Sequence, residues 1–179
     1  MNMTLNERVH QYYLNATTGV LAIFLCVMSF PSLGQHDLSD INELAIGINN
    51  AVNVTQLGDE LSINLNQSGF NNQFNSNQLG YNNQIFTHQQ GMFNGVTAFQ
   101  SGADIEASIY QSGFGNRVIT SQVGSNLLTD VSQIGTQNLA IIHQTGSNNT
   151  IMIQQNGYGS AVGILQWGTM QNVSVTQSN

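Results

Sequence analysis

From residue 50 onward, apolar and polar positions alternate in short runs that recur every 11 residues. One row reads Val52, Ile63, Phe74, Ile85, Val96, Ala107, Val118, Thr129, Ala140, Ile151, Val162 and Val173, and only Thr129 breaks its apolar character. Two residues on, the row is Val54, Leu65, Ser76, Thr87, Ala98, Ile109, Thr120, Val131, Ile142, Ile153, Ile164 and Val175; its exceptions carry small hydroxyls. Two further on, every unit has glutamine: Gln56, Gln67, Gln78, Gln89, Gln100, Gln111, Gln122, Gln133, Gln144, Gln155, Gln166 and Gln177. Three positions at period two form one face of a β-strand. Val and Ile suit a packed, pleated surface. The positions between them are mostly polar (Asn53, Asn64, Asn66, Asn75, Asn77, Thr97, Ser108, Ser121, Ser132) and are expected to face solvent. Phe86, Phe99, Tyr110, Ile119, Ile141 and Leu165 depart from that rule, as scattered surface residues often do.

Each strand is followed by x-Gly-x-x-Asn. The glycines are Gly58, Gly69, Gly80, Gly91, Gly102, Gly113, Gly124, Gly135, Gly146, Gly157 and Gly168, with Asn179 in the twelfth place. The asparagines are Asn72, Asn83, Asn94, Asn116, Asn138 and Asn149, and Asn50 opens the first unit. Glycine reaches positive φ at little cost, and asparagine tolerates the left-handed region while bonding nearby backbone. The spacing therefore predicts a strand of about six residues and a turn of about five.

A lone strand of this kind cannot bury its apolar face, but two facing each other can. The pattern predicts an all-β fold: a β-solenoid of strand–arc–strand layers, with two parallel sheets face to face. Twelve units make six layers of 22 residues, about 29 Å of stack at the usual strand spacing. The inward glutamines would form amide ladders, each side chain donating to the layer above and accepting from the layer below. A buried amide is costly unless its bonds are made, so such a ladder demands fixed register.

Composition narrows the function. Charged residues are 6% of the chain, there is no lysine, and Arg8 and Arg117 are the only arginines. A nucleic-acid binder needs a basic stripe, and none exists. The acids (Asp37, Asp40, Glu43, Asp59, Glu60, Asp104, Glu106, Asp130) are scattered and favour solubility over a binding patch. No recurring Ser/His/Asp spacing, phosphate loop or calcium repeat is present, so neither enzyme nor cofactor is expected. His36, His88 and His143 are isolated, which argues against a metal site.

Residues 19–30 form an apolar run too short to span a bilayer, after a polar segment with Arg8 and before Pro31-Ser32-Leu33-Gly34. Residues 1–34 read as a secretory signal cut after Gly34, with a buried N-terminal helix as the other reading. Cys26, the single cysteine, would leave with it. No transmembrane segment is expected in the mature chain. In the lead-in 35–49, Ile41, Ala45 and Gly47 fall on the phase of the repeat, which fits a degenerate unit or a disordered tail. The repeat region has no proline, and its last unit is an uncharged strand, so the stack is expected to polymerise end to end.

Gln133-Ile134-Gly135-Thr136-Gln137-Asn138-Leu139-Ala140, followed by Gln144, resembles the repeat of the curlin family throughout. Gln111 to Gln122 resembles it closely, while Gln67 to Gln78 and Gln144 to Gln155 carry Phe74 and Ile151 in its alanine slot. The resemblance spans residues 50–179. It implies a subunit of extracellular curli, the amyloid fimbrium of a Gram-negative biofilm. It also implies partners: other curlin subunits and the outer-membrane secretion and anchoring machinery. The unbroken spacing and the lead-in Asp37-Leu38 to Asn42-Glu43-Leu44 are similar to the minor, nucleating subunit. Against that, the last repeats lack the basic residues of that subunit, and the major subunit is the alternative. A non-polymerising adhesin solenoid would share the fold.

Overall fold

A computed structural model of the chain describes residues 10–15 and 46–179. The expected signal segment thus lies outside the described residues except for 10–15, and the lead-in except for 46–49. The strands in chain order are β1 (His10–Asn15), β2 (Ile46–Ile48), β3 (Ala51–Asp59), β4 (Ser62–Phe70), β5 (Gln73–Tyr81) and β6 (Gln84–Met92). Then follow β7 (Gly95–Phe114), β8 (Arg117–Thr136), β9 (Leu139–Tyr158), β10 (Ala161–Thr169) and β11 (Asn172–Ser178). No helix occurs among the described residues.

The expected solenoid forms. From β2 onward every pairing is parallel and joins residues 22 apart. β3, β5, the first halves of β7, β8 and β9, and β10 stack into one sheet. β2, β4, β6, the second halves of β7, β8 and β9, and β11 stack into the other. The two rows of each inward face meet in one core, from Val52 and Ile63 up to Ile153 and Ile164. A parallel stack sets each side chain over its own repeat, so glutamine lies on glutamine and glycine on glycine, while the core columns vary in size. β1 lies antiparallel on the free edge of β3, with His10 opposite Gln56.

Two expectations about the turns are corrected. The strands run nine residues, not six, and include the glycine; only two residues separate β3 from β4. β7, β8 and β9 each continue for 20 residues through the arc. Where the strands break, arc backbone still bonds the preceding layer, as Asn82 N does to Asp59 O at 3.0 Å. Second, the left-handed residue is not the predicted asparagine but the one before it: Glu60, Asn71, Asn82, Phe93, Asp104, Asn126, Gln137, Asn148 and Met170 have φ near +55°, and Gly115 and Gly159 take the same place. The following asparagine is then turned inward.

Candidate functional site

The glutamines form two continuous columns. Nε2 of Gln56, Gln78, Gln100, Gln122 and Gln144 donates to Oε1 of the glutamine one layer on, over 2.6 to 3.2 Å, ending at Gln166. The second column runs Gln67, Gln89, Gln111, Gln133, Gln155, Gln177 over 2.7 to 2.9 Å. The second amide hydrogen goes to the carbonyl that opens the facing strand, as from Gln122 to Glu106 and from Gln133 to Arg117, both at 3.1 Å. That carbonyl fixes the direction of the ladder. Flipping any amide would set its oxygen against a carbonyl oxygen. All donors therefore point toward the C-terminal layer.

The predicted asparagines form a further buried ladder of the opposite sense. Asn94, Asn116 and Asn138 each donate from N and Nδ2 to Oδ1 of the asparagine one layer back, at 3.1 to 3.2 Å. The column begins with Asn50, which accepts from Asn72 N, and ends with Ser160, which donates to Asn138. Nδ2 also reaches the carbonyl four residues back and the glycine of the next layer, as Asn116 does to Ser112 and Gly135. In the other arc the same position holds Leu61, Asn83, Ile105, Leu127 and Asn149, all buried. By local propensity these asparagines are turn formers; the sequence signal for their burial is the apolar residue at Leu61, Ile105 and Leu127.

The glycines also stack in two columns, Gly58 through Gly168 and Gly69 through Gly157. From Gly58 to Gly146, a β-carbon would run into the carbonyl of the next glycine, and at Gly157 into Asn179. Each also has φ between 104° and 141°. So two separate constraints exclude side chains there.

The two ends of the stack differ. At the low end, among the described residues, Gln67 Oε1 is buried with no partner, as is Asn50 Nδ2. Ala45 stands 22 residues before Gln67 and brings no amide. At the high end Gln166 and Gln177 each donate one bond, to Thr150 O and Ala161 O. Among the described residues β10 and β11 pair with β9 alone, leaving their outer edges free.

Charge is sparse. Glu60 and Asp104 occupy one exposed column with Asn82 between them, and Asn82 Nδ2 donates to Asp104 at 2.7 Å. Tyr81 beside them is held above its ordinary pKa of 10.0, first by a hydrogen bond to Glu60 and then by the carboxylate charges of Glu60, Asp104 and Asp59. His88 stacks on Tyr110 with ring centroids 5.4 Å apart. His143 has the Thr145 hydroxyl at 3.3 Å. Among the described residues no three His, Cys, Asp or Glu gather as a metal group would.

The family model of the curlin-associated repeat matches residues 102–135 and again 124–157. Residues 102–157 thus carry two curlin-associated repeats. The two matches overlap with a 22-residue offset, which is one layer of the stack. Comparison with curated proteins and with solved structures found no match. The curlin repeats mark a curli-type structural subunit.

Proposed function

We propose that the curlin-repeat chain is a subunit of extracellular curli-type amyloid fibres that grows by end-to-end stacking. The observation that carries this is the one-way glutamine ladder. It leaves an unpaired buried acceptor at Gln67 and spare amide hydrogens at Gln166 and Gln177. The ends are thus complementary to each other and not to themselves, so copies add head to tail and the contact does not close on itself. A buried, unpaired polar atom is costly, and stacking removes that cost. In this reading residues 1–34 are removed on export, which takes β1 off the edge of β3. The fibre then forms at the cell surface with other curlin subunits and the outer-membrane secretion and anchoring machinery.

Within that function we place the chain as the minor subunit that starts polymerisation, because no insertion disturbs its 22-residue register from β3 to β11. A template needs that regularity more than a bulk subunit does. The major subunit is the competing role.

Thioflavin-T fluorescence of the purified chain, with and without preformed seeds, tests the polymer reading: seeds should abolish the lag. A chain that stays monomeric and dye-negative sinks it. Deleting the gene tests the role. Release of another, soluble curlin subunit supports the nucleator; loss of all fibre mass with that subunit intact supports the major one.

A further inference from the structure

The two arcs of each layer present opposite chemistry. At the tip of the second arc one column runs Phe70, Met92, Phe114, Thr136 and Tyr158, each over the next. Phe93 stands beside it, its ring edge-on to Phe114 with centroids 5.4 Å apart. Apart from Thr136, these side chains keep 40 to 66% of their surface exposed. Scattered exposed apolar residues are ordinary, but a continuous ridge of them is not. Among the described residues this is the one outward column with large apolar side chains in three successive layers. The matching column of the first arc runs Asp59, Tyr81, Ala103, Ser125, Ser147 and Thr169. Glu60 and Asp104 are exposed beside it, and Glu106 follows. We propose that the second-arc ridge is a lateral contact between copies of this chain, through which two stacks lie side by side, ridge against ridge. This rests on the end-to-end stacking proposed above.

Charge selects that pairing. First arc against first arc would bring Asp59, Glu60 and Asp104 of both stacks together, and first against second would bury those carboxylates on apolar rings. Either arrangement takes unpaired charge out of water and is costly. The ridge itself carries no charge. Arg117 begins β8 beside Gly95, off the ridge, where a polar rim would lie. It is the only lysine or arginine among the described residues, so an anionic lipid surface finds no basic flank there.

A single copy offers too little area to pair alone. Five arcs at about 4.8 Å spacing, across sheets about 10 Å apart, cover on the order of 240 Å² per partner. A stable contact needs roughly 1,000 Å² in total. A fibre repeats the ridge with every copy, so the contacts add along its length. Lateral pairing therefore follows polymerisation.

Mass per length of the fibres, read by scanning transmission electron microscopy, tests this. Wild-type fibres should carry two chains for every six layers, and the soluble chain should sediment as a monomer. Met92→Ser/Phe93→Ser/Phe114→Ser should halve the mass per length, with the circular dichroism of the soluble chain and the seeded thioflavin-T rate unchanged. Wild-type fibres with one chain for every six layers would overturn the pairing, as would a triple variant that keeps two. In one-chain fibres, shielding of Phe93 and Phe114 from hydroxyl radicals would give the ridge to another segment of the same chain. Binding to anionic vesicles that the triple variant loses would give it to a lipid surface. A soluble dimer held by the ridge would overturn its dependence on fibre length. A chain that forms no fibre overturns the polymer reading and the paired fibre with it, whereas one-chain fibres overturn only the pairing.

Discussion

A β-carbon on Gly124 would overlap the carbonyl group of Gly146, the residue one layer above it. Gly124 also has φ 141°. The glycine is thus required by the neighbouring layer as well as by its own backbone.

Gly124→Ala should therefore cost roughly 2–5 kcal/mol, from strain and overpacking together. Gly95 has ordinary backbone and only Arg117 Cγ near its missing β-carbon, at 3.9 Å. Gly95→Ala should change stability by less than about 0.5 kcal/mol. Urea unfolding of the soluble chain compares the two; equal losses would refute the column argument.

Gln122 holds Gln100 on one side and Gln144 on the other, both at 3.2 Å. Gln122→Ala leaves these amides short of partners inside the core, at roughly 1–3 kcal/mol for each break. Gln133→Ala does the same in the second column. Both should lengthen the polymerisation lag seen by thioflavin-T. Unchanged lag times for both would argue against a working amide ladder.

Thr120 is buried between Ala98 and Ile142, and its hydroxyl has no partner among the described residues. Thr120→Val removes that unpaired group with little change of shape. Stability should rise by about 1 kcal/mol, read as a higher urea midpoint at unchanged slope. A lower midpoint would mean that the hydroxyl does find a bond.

Asn82 separates Glu60 from Asp104 in one exposed column. Asn82→Asp puts three carboxylates in successive layers and should cost about 0.2–1 kcal/mol at neutral pH. The loss should shrink in high salt and on acidification, as the carboxylates are screened or protonated. A loss independent of pH and salt would contradict a charge origin.

Tyr81 should ionise above the ordinary 10.0, because Glu60 bonds its neutral form. A group with raised folded pKa contributes stability that is complete below pH 10 and is lost as pH climbs through the folded value. Glu60→Gln should bring the ionisation down. Ultraviolet titration against Tyr81→Phe isolates this residue; an unmoved curve in Glu60→Gln would remove Glu60 as the cause.

The sequence by itself determined the layers. Twelve glutamines at unbroken 11-residue spacing admit one register, and any slip would carry polar Asn64 or Asn75 into the core in place of Ile63 or Phe74. The inward rows, the parallel sheets and the 22-residue layer all follow from that. What lies between the strands did not follow. Asn94 and Asn116 read as turn residues from local propensity, yet their side chains are buried by partners 22 residues away. Whether a side chain meets the layer above or the one below depends on how the backbone carbonyls lean, which no periodicity encodes. Only the stacked structure decided that an asparagine ladder runs beside the glutamine ladder in the opposite sense. Only it showed that the glycines are fixed by the layer above them as well as by φ, because the clash is between backbones and leaves no trace in a single repeat.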